Sequence, residues 1–149
     1  MYLGIDPGRF KIGFAAVDGD RLVFSAIIPK DREEVLPRAM NSLDLSPLKE
    51  WTREGSVDSV ALNRDVKIFI GDGTSSDELK ENLAGAADIT TVNEYGTTLA
   101  GRELYWKLHP PKGLWALIPT SLRTPPRDVD DLAAWAIIIS ALKNNADKK

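Results

Sequence analysis

Three short runs of apolar residues at the start of the chain predict three consecutive β-strands. The runs cover residues 3–5, 11–17 and 21–28, and the second and third are joined by Asp18-Gly19-Asp20. An Asp-Gly pair between two apolar runs is typical of a tight hairpin turn. We therefore predict that the chain begins with an antiparallel sheet.

After residue 30 the apolar spacing changes to that of helices alternating with single strands. Ser46 and Pro47 open one predicted helix as cap and first-turn residue, and the capping box of residues 75–78 opens another. The segment His109-Pro110-Pro111 ends a third helix, because proline cannot continue it. The predicted helices cover residues 31–40, 45–53, 75–87, 97–108 and 128–143, and the predicted strands cover residues 66–70 and 89–92.

This order of elements predicts an α/β fold. Three antiparallel strands followed by alternating helices and strands are typical of a mixed sheet that is flanked by helices. The five predicted strands, in this order, suit a ribonuclease H-like fold. Because one fold hosts many unrelated functions, the function has to be inferred from the candidate site.

Length and composition restrict the classes of function. We expect one domain over residues 1–149, and the absence of cysteine leaves oxygen ligands or His109 for any metal, which favours hard cations. The longest apolar run, residues 132–142, is shorter than the ~20 residues of a membrane span, and no basic leader precedes Asp6. We therefore expect a soluble, cytoplasmic protein. The net charge of −3 argues against a protein that coats nucleic acid electrostatically, although residues 102–127 are locally basic.

Acidic side chains stand at the ends of three predicted elements. Asp6 follows the first strand, Glu94 follows the last strand, and Asp128, Asp130 and Asp131 open the last helix. Phosphodiester hydrolysis with two divalent cations uses such a set, because one carboxylate bridges the ions and others hold them from outside. Mg²⁺ prefers oxygen ligands and keeps several waters, so three or four carboxylates suffice. Each acid also has a structural explanation as a turn, strand-end or cap residue, and Asp128 fits the cap best.

Three segments of the chain form a set of motifs. Leu3–Gly13, LGIDPGRFKIG, is a strand that carries an Asp and returns through a glycine turn. Val92–Ala100, VNEYGTTLA, places a Glu before two threonines, and Val129–Ala134, VDDLAA, opens the last helix. In order and spacing these segments resemble the motifs of the YqgF (RuvX) group of RuvC-like nucleases, and together they span the chain.

The resemblance implies an activity and a set of ligands. Asp6, Glu94 and Asp130 would be catalytic metal ligands, with Asp131 as the alternative to Asp130. The site would hold two Mg²⁺ or Mn²⁺ ions. The nuclease would cut structured RNA, as in maturation of the 16S ribosomal RNA precursor, or branched DNA such as a Holliday junction. The implied partner is therefore nucleic acid, and a homodimer is compatible with the resemblance.

Five basic residues are candidates for contacts with nucleic acid phosphates. Arg9 and Lys11 belong to the first motif, and Lys112, Arg123 and Arg127 lie between the last two helices.

Two residues that follow the helix predicted over residues 97–108 each have a functional and a structural interpretation. Trp115 could stack an unpaired base, but pinning the loop to the core is the commoner role of a loop Trp, and we expect that role here. His109 is expected to cap the preceding helix rather than to bind a metal.

The chain departs from the family pattern at three places. Gly71-Asp72-Gly73 replaces Gly-Leu-Pro, Asn93 replaces an Asp, and Tyr95 replaces an Arg. These differences and the acidic net charge support a second hypothesis, a non-catalytic nucleic-acid-binding or regulatory relative with the same fold. A third hypothesis, a sugar kinase or actin-like ATPase, shares the opening strand, but those proteins enclose a nucleotide between two such domains.

Overall fold

The computed structural model describes residues 1–73, 76–85, 87–93, 96–119 and 122–147. Within these ranges, six strands and four α-helices are joined by loops and short 3₁₀ helices. The strands are β1 (Tyr2–Pro7), β2 (Lys11–Asp18), β3 (Arg21–Pro29), β4 (Thr52–Gly55), β5 (Lys67–Gly71) and β6 (Asp88–Val92). The helices are α1 (Val35–Ser42), α2 (Ser76–Leu83), α3 (Thr97–Leu108) and α4 (Asp130–Asp147).

All six strands form one mixed sheet in the order β4-β3-β2-β1-β5-β6. The pairs β1–β2, β2–β3 and β3–β4 are antiparallel, whereas β5 and β6 run parallel to β1. The prediction of a mixed sheet flanked by helices is therefore confirmed. The predicted number of five strands is wrong, because β4 adds a sixth strand at one edge.

The additional strand β4 lies where the sequence predicted a helix over residues 45–53. This segment forms only a 3₁₀ helix, Ser46–Trp51, before it extends along β3. Gly55 explains the end of the strand, since its φ is 70° and a Cβ there would lie 2.1 Å from the Val23 carbonyl oxygen. Pairing with β3 thus overrides the helical spacing of the apolar residues.

Several predicted helix boundaries also differ from the structure. The helix predicted over residues 31–40 is a 3₁₀ turn, Lys30–Arg32, followed by α1. Helix α2 ends at Leu83 instead of near residue 87, and the proposed cap residue Ser75 lies outside the described residues. Helix α3 has the predicted bounds, and α4 begins two residues later than predicted and reaches Asp147. No helix in the described ranges is both long and apolar enough to cross a bilayer.

The two faces of the sheet are covered by different helices. One face packs Leu3, Ile5 and Phe14 against α1 and α2 in the larger apolar core. The other face packs Ala15 and Phe69 against α4, and α3 packs on α4 from outside. Helix α4 therefore lies directly on the central strands, and its first residues meet the end of β1.

Candidate active site

Asp6 and Asp130 approach one another because a glycine lies between their elements. Asp6 of β1 is the cross-strand partner of Gly13 in β2, so both residues present the same face of the sheet. A Cβ built on Gly13 would lie 1.9 Å from the Asp130 carbonyl oxygen, so the start of α4 rests on the bare backbone of Gly13. The glycine of the first motif thus brings the helix that carries Asp130 next to the strand that carries Asp6.

Asp6, Asp128 and Asp130 line a cavity of about 620 Å³, which we call the acidic cavity. Its walls also contain basic and hydroxyl side chains, including Arg53 from β4 and Thr98 and Arg102 from α3. The cavity is open to solvent and lies where the end of β1, the start of α4 and α3 meet. It combines carboxylates that can hold cations with guanidinium groups that can hold phosphates.

The negative charge of Asp130 in this cavity is only partly balanced by the groups around it. Its side chain is 29% exposed, and burial raises the pKa of its carboxyl group. The Lys11 ammonium lies 3.6 Å from Asp130 Oδ2 and lowers that pKa, but burial dominates. A carboxylate in this situation is stabilised by additional positive charge.

Lys11 and Asp128 form an exposed ion pair at the mouth of the cavity. Lys11 Nζ donates a hydrogen bond to Asp128 Oδ2, and this bond lowers the pKa of Asp128 and raises that of Lys11. Lys11 was predicted to contact a phosphate, and in this structure its ammonium group pairs with the carboxylates of Asp128 and Asp130. Asp128, which was expected to cap the last helix, precedes α4 and uses its side chain for this pair.

Asp131 has a different environment from Asp130. Its side chain is fully buried, and its Oδ2 accepts a hydrogen bond of 2.6 Å from the Ser25 hydroxyl. Arg127 Nη1 donates to Oδ1 at 2.8 Å, and Nη2 donates to Oδ2 at 3.3 Å. Asp131 does not line the acidic cavity. The alternative that Asp131 replaces Asp130 as the metal ligand does not fit this geometry, because its oxygens already accept these bonds.

The bonds of Asp131 belong to a larger set, which we call the buried network after its two buried members, Ser25 and Asp131. Its other members are Arg127, Glu54 and His109, of which the first two are partly exposed and His109 is exposed. Arg127 Nη2 also donates to Glu54 Oε2 at 3.0 Å, and His109 Nε2 lies 2.6 Å from Glu54 Oε1. Although burial opposes the charge of Arg127, the bonds to Asp131 and Glu54 outweigh it, so its pKa is raised. The network ties β3, β4 and the end of α3 to the start of α4.

The remaining predicted nucleic acid contacts have mixed outcomes. Arg9 and Lys112 are exposed, so both are accessible to a ligand. Arg123 is only 8% exposed, its guanidinium stacks on Trp106 and its Nη1 donates to the Trp115 carbonyl, which disfavours a phosphate contact by Arg123. Arg127 lines the acidic cavity but is engaged in the buried network, which likewise disfavours a free phosphate contact.

The loop residues Trp115 and His109 also differ from their expected roles. Trp115 is 56% exposed, so it does not pin the loop to the core. His109 occupies the C-cap position of α3, but its side chain pairs with Glu54 instead of capping the helix. A long-range partner, Glu54, thus decides the position of the His109 side chain.

Arg53, Thr98 and Arg102 are among the cavity residues that were not predicted as site residues. Arg53 was assigned to a helix, and only its position on the edge strand β4 brings it to the cavity. Thr98 belongs to the second motif and Arg102 lies four residues later, which places them on one side of a helix, and this spacing could have identified them.

A complete metal site is not present within the described part of the chain. No group of three or more Asp, Glu, His or Cys side chains there is arranged to hold an ion. The third predicted ligand, Glu94, lies outside the described residues. Asp6 and Asp130 place two carboxylates on the cavity, and a divalent cation bound there would need further oxygen ligands, from protein, water or substrate.

Comparisons with known proteins give similarity to solved structures. No family model and no curated protein matches the chain. Among solved structures it is similar to RuvC of Thermus thermophilus, with 17% identity, a TM-score of 0.46 and coverage of 98% of this chain and 96% of that chain.

Proposed function

We propose that the chain is a ribonuclease H-like, divalent-metal-dependent nuclease of the YqgF (RuvX) type that acts on structured RNA or branched DNA. The observation that carries the proposal is the position of Asp6 and Asp130 on one cavity, with Gly13 between their elements. The first and last motifs, which are distant in sequence, contribute one carboxylate each to this cavity. The order of strands and helices also agrees with this fold type.

Asp6 and Asp130, together with Glu94, would hold Mg²⁺ or Mn²⁺. Carboxylate oxygens are the ligands that these hard cations prefer, and the raised pKa of Asp130 indicates a site that gains from added positive charge. When bound, such ions would supply activation of a water molecule and stabilisation of the leaving oxygen.

The cations of the chain would bind the substrate backbone. Arg53 and Arg102 line the cavity, and both side chains are exposed and able to donate paired hydrogen bonds to phosphate oxygens. Lys11 lies between Asp128 and Asp130, where it would also contact a bound phosphate. These residues orient the scissile phosphate over the two carboxylates, while the buried network fixes the start of α4.

The alternative of a non-catalytic relative is supported by the ion pair of Lys11 with Asp128, since a cation of the chain itself stands beside Asp130. In that case the cavity would bind nucleic acid through its arginines without hydrolysis. The two hypotheses differ in one property, which is cleavage in the presence of a divalent cation.

A cleavage assay with Mg²⁺ or Mn²⁺ tests the proposal on a four-way DNA junction and on a 16S ribosomal RNA precursor. The parent protein should cut at least one of them and leave a 5′-phosphate. Asp6→Asn and Asp130→Asn should each lower the rate by several orders of magnitude, because each removes a ligand. Asp128→Asn is the matched control and should keep most of the activity, since Asp128 is bound to Lys11 at the mouth. Cleavage by Asp130→Asn at the parent rate would refute the proposed site.

A further inference from the structure

A second cavity, of about 390 Å³, lies beside the acidic cavity and has a different chemical character. We call it the aromatic cavity. Its lining includes Trp106, Trp115, Pro110, Pro111, Pro126 and Lys112, so flat apolar surfaces dominate and one cation is present. Among the described residues that line it there is one lysine and no acid, which distinguishes it from the acidic cavity.

Arg123 holds the walls of the aromatic cavity in place. Its guanidinium lies 5.2 Å from the centre of the Trp106 ring, and Trp106 Nε1 donates to the Arg123 carbonyl oxygen at 3.2 Å. Arg123 Nη1 donates to the Trp115 carbonyl oxygen at 3.3 Å. A buried arginine thus links the helix that carries Trp106 to the loop that carries Trp115. The shape of the cavity is therefore held by specific contacts within the fold.

Trp115 remains largely accessible in this arrangement. Its side chain is 56% exposed although its backbone is fastened by Arg123. Exposure of a large aromatic ring at the edge of a cavity is typical of a binding surface, because the ring loses contact with water only when a ligand covers it.

The aromatic cavity adjoins the acidic cavity. Thr124 and Pro126 line both of them, so ligands in the two cavities would be neighbours. From the acidic to the aromatic cavity, the lining changes from carboxylates and arginines to tryptophan and proline surfaces with a lysine. This order matches a nucleic acid strand, in which a phosphate is followed by a nucleoside with a flat base.

We propose that the aromatic cavity binds an unpaired nucleobase next to the scissile phosphate, stacked on Trp115, with Lys112 at the adjoining phosphate. The inference rests on the proposed function, because that function places the scissile phosphate in the acidic cavity. The site would thereby select substrates with an unstacked nucleotide beside the cut, as found in loops, bulges and branch points.

Equilibrium binding without divalent cations tests the stacking site apart from cleavage. The probes are a short fluorescent single-stranded DNA and a strand of equal length whose central positions are abasic. Parent protein should bind the intact strand more tightly. Trp115→Ala should weaken binding of the intact strand about tenfold and leave the abasic strand unchanged, whereas Trp115→Phe should keep most of the affinity. Leu117→Ala is the matched control, because Leu117 is 80% exposed in the same 3₁₀ turn but does not line the cavity.

The outcomes separate this proposal from the proposed nuclease function. If the parent cleaves its substrate but Trp115→Ala binds the intact strand like the parent, the stacking site is refuted and the nuclease proposal stands. An equal loss on the intact and abasic strands would also refute stacking and show that the loop contacts the backbone. If the parent binds neither strand and cleaves neither substrate, both proposals fall together.

Discussion

The acidic cavity and the buried network contain two adjacent residues of α4, Asp130 and Asp131, whose side chains have opposite environments. Asp130 keeps an incompletely compensated carboxyl group with a raised pKa. Asp131, one residue later, is fully buried and accepts hydrogen bonds from Ser25 and Arg127. Successive residues of a helix diverge by about 100°, so the two side chains meet different surroundings.

This difference indicates that the two aspartates at the start of α4 have different roles. The buried network links the helix to β3 and β4 and so fixes the position of Asp130, which contributes little to stability itself. Rigid support is needed, because a carboxylate that is held beside other acids and awaits a cation would otherwise move away from them. We infer that Asp131 and Arg127 are positioning residues and that Asp130 is the ligand.

The largest expected effect on stability follows from Asp131→Asn. The substitution weakens the bonds of the buried Asp131 to Arg127 and Ser25 and leaves the partly exposed Arg127 guanidinium without its main counter-charge. We expect a loss of about 3 kcal/mol in the free energy of unfolding, at the lower end of the range for broken buried pairs because Arg127 retains contact with solvent. Urea denaturation measures it, and Asp130→Asn is the matched control, with no loss. Equal stability of the two variants would contradict the assigned difference.

A smaller effect is expected when the contact of Gly13 with α4 is blocked. Gly13→Ala forces the helix start away from β2, because the new Cβ meets the Asp130 carbonyl oxygen, and should cost about 1–3 kcal/mol. Gly4→Ala is the matched control, since its Cβ would lie 2.3 Å from the Ala134 carbonyl oxygen, one turn further along α4. At equal stability loss, Gly13→Ala should reduce cleavage more. A greater loss of cleavage in Gly4→Ala would show that Gly13 does not position Asp130.

The smallest effect concerns the pH dependence of stability without divalent cations. Because the folded-state pKa of Asp130 is raised, the folded protein binds this proton more tightly, and stability falls as pH rises through that pKa. Asp130→Asn should therefore gain stability relative to the parent toward neutral pH. Asp128→Asn should show the opposite sign, since the lowered pKa of Asp128 gives a stabilisation that is lost as pH falls. Unfolding measured over a pH series would contradict the account if both variants shifted alike.

The sequence predicted those parts of the fold and site that depend on local pattern. The three opening strands, α3 and the pairing of Asp6 with the return strand of Gly13 follow from alternation, turn residues and spacing within a few positions. The resemblance of the last motif favoured Asp130 over Asp131, and of the two it is Asp130 that lines the acidic cavity.

The parts that the sequence did not predict depend on contacts between distant segments. Strand β4 forms because it pairs with the edge of β3, and this pairing brings Arg53 and Glu54 to the start of α4. Arg123 was expected on the surface, but Trp106, seventeen residues earlier, accepts its guanidinium. Neither the strand pairing nor the arginine contact can be predicted from the residues that are neighbours in the sequence.

Binding of a divalent cation tests the central claim most directly. Thermal unfolding of the parent should shift to higher temperature with Mn²⁺ or Mg²⁺, because an ion that binds only the native protein stabilises it. The shift should be lost in Asp6→Asn and Asp130→Asn, and it should be smaller but still present in Asp131→Asn, which loses support for Asp130 but no ligand, measured against each variant's own metal-free midpoint. An equal shift in the parent and in Asp130→Asn, or none in the parent, would contradict the assignment of Asp6 and Asp130 as the metal site.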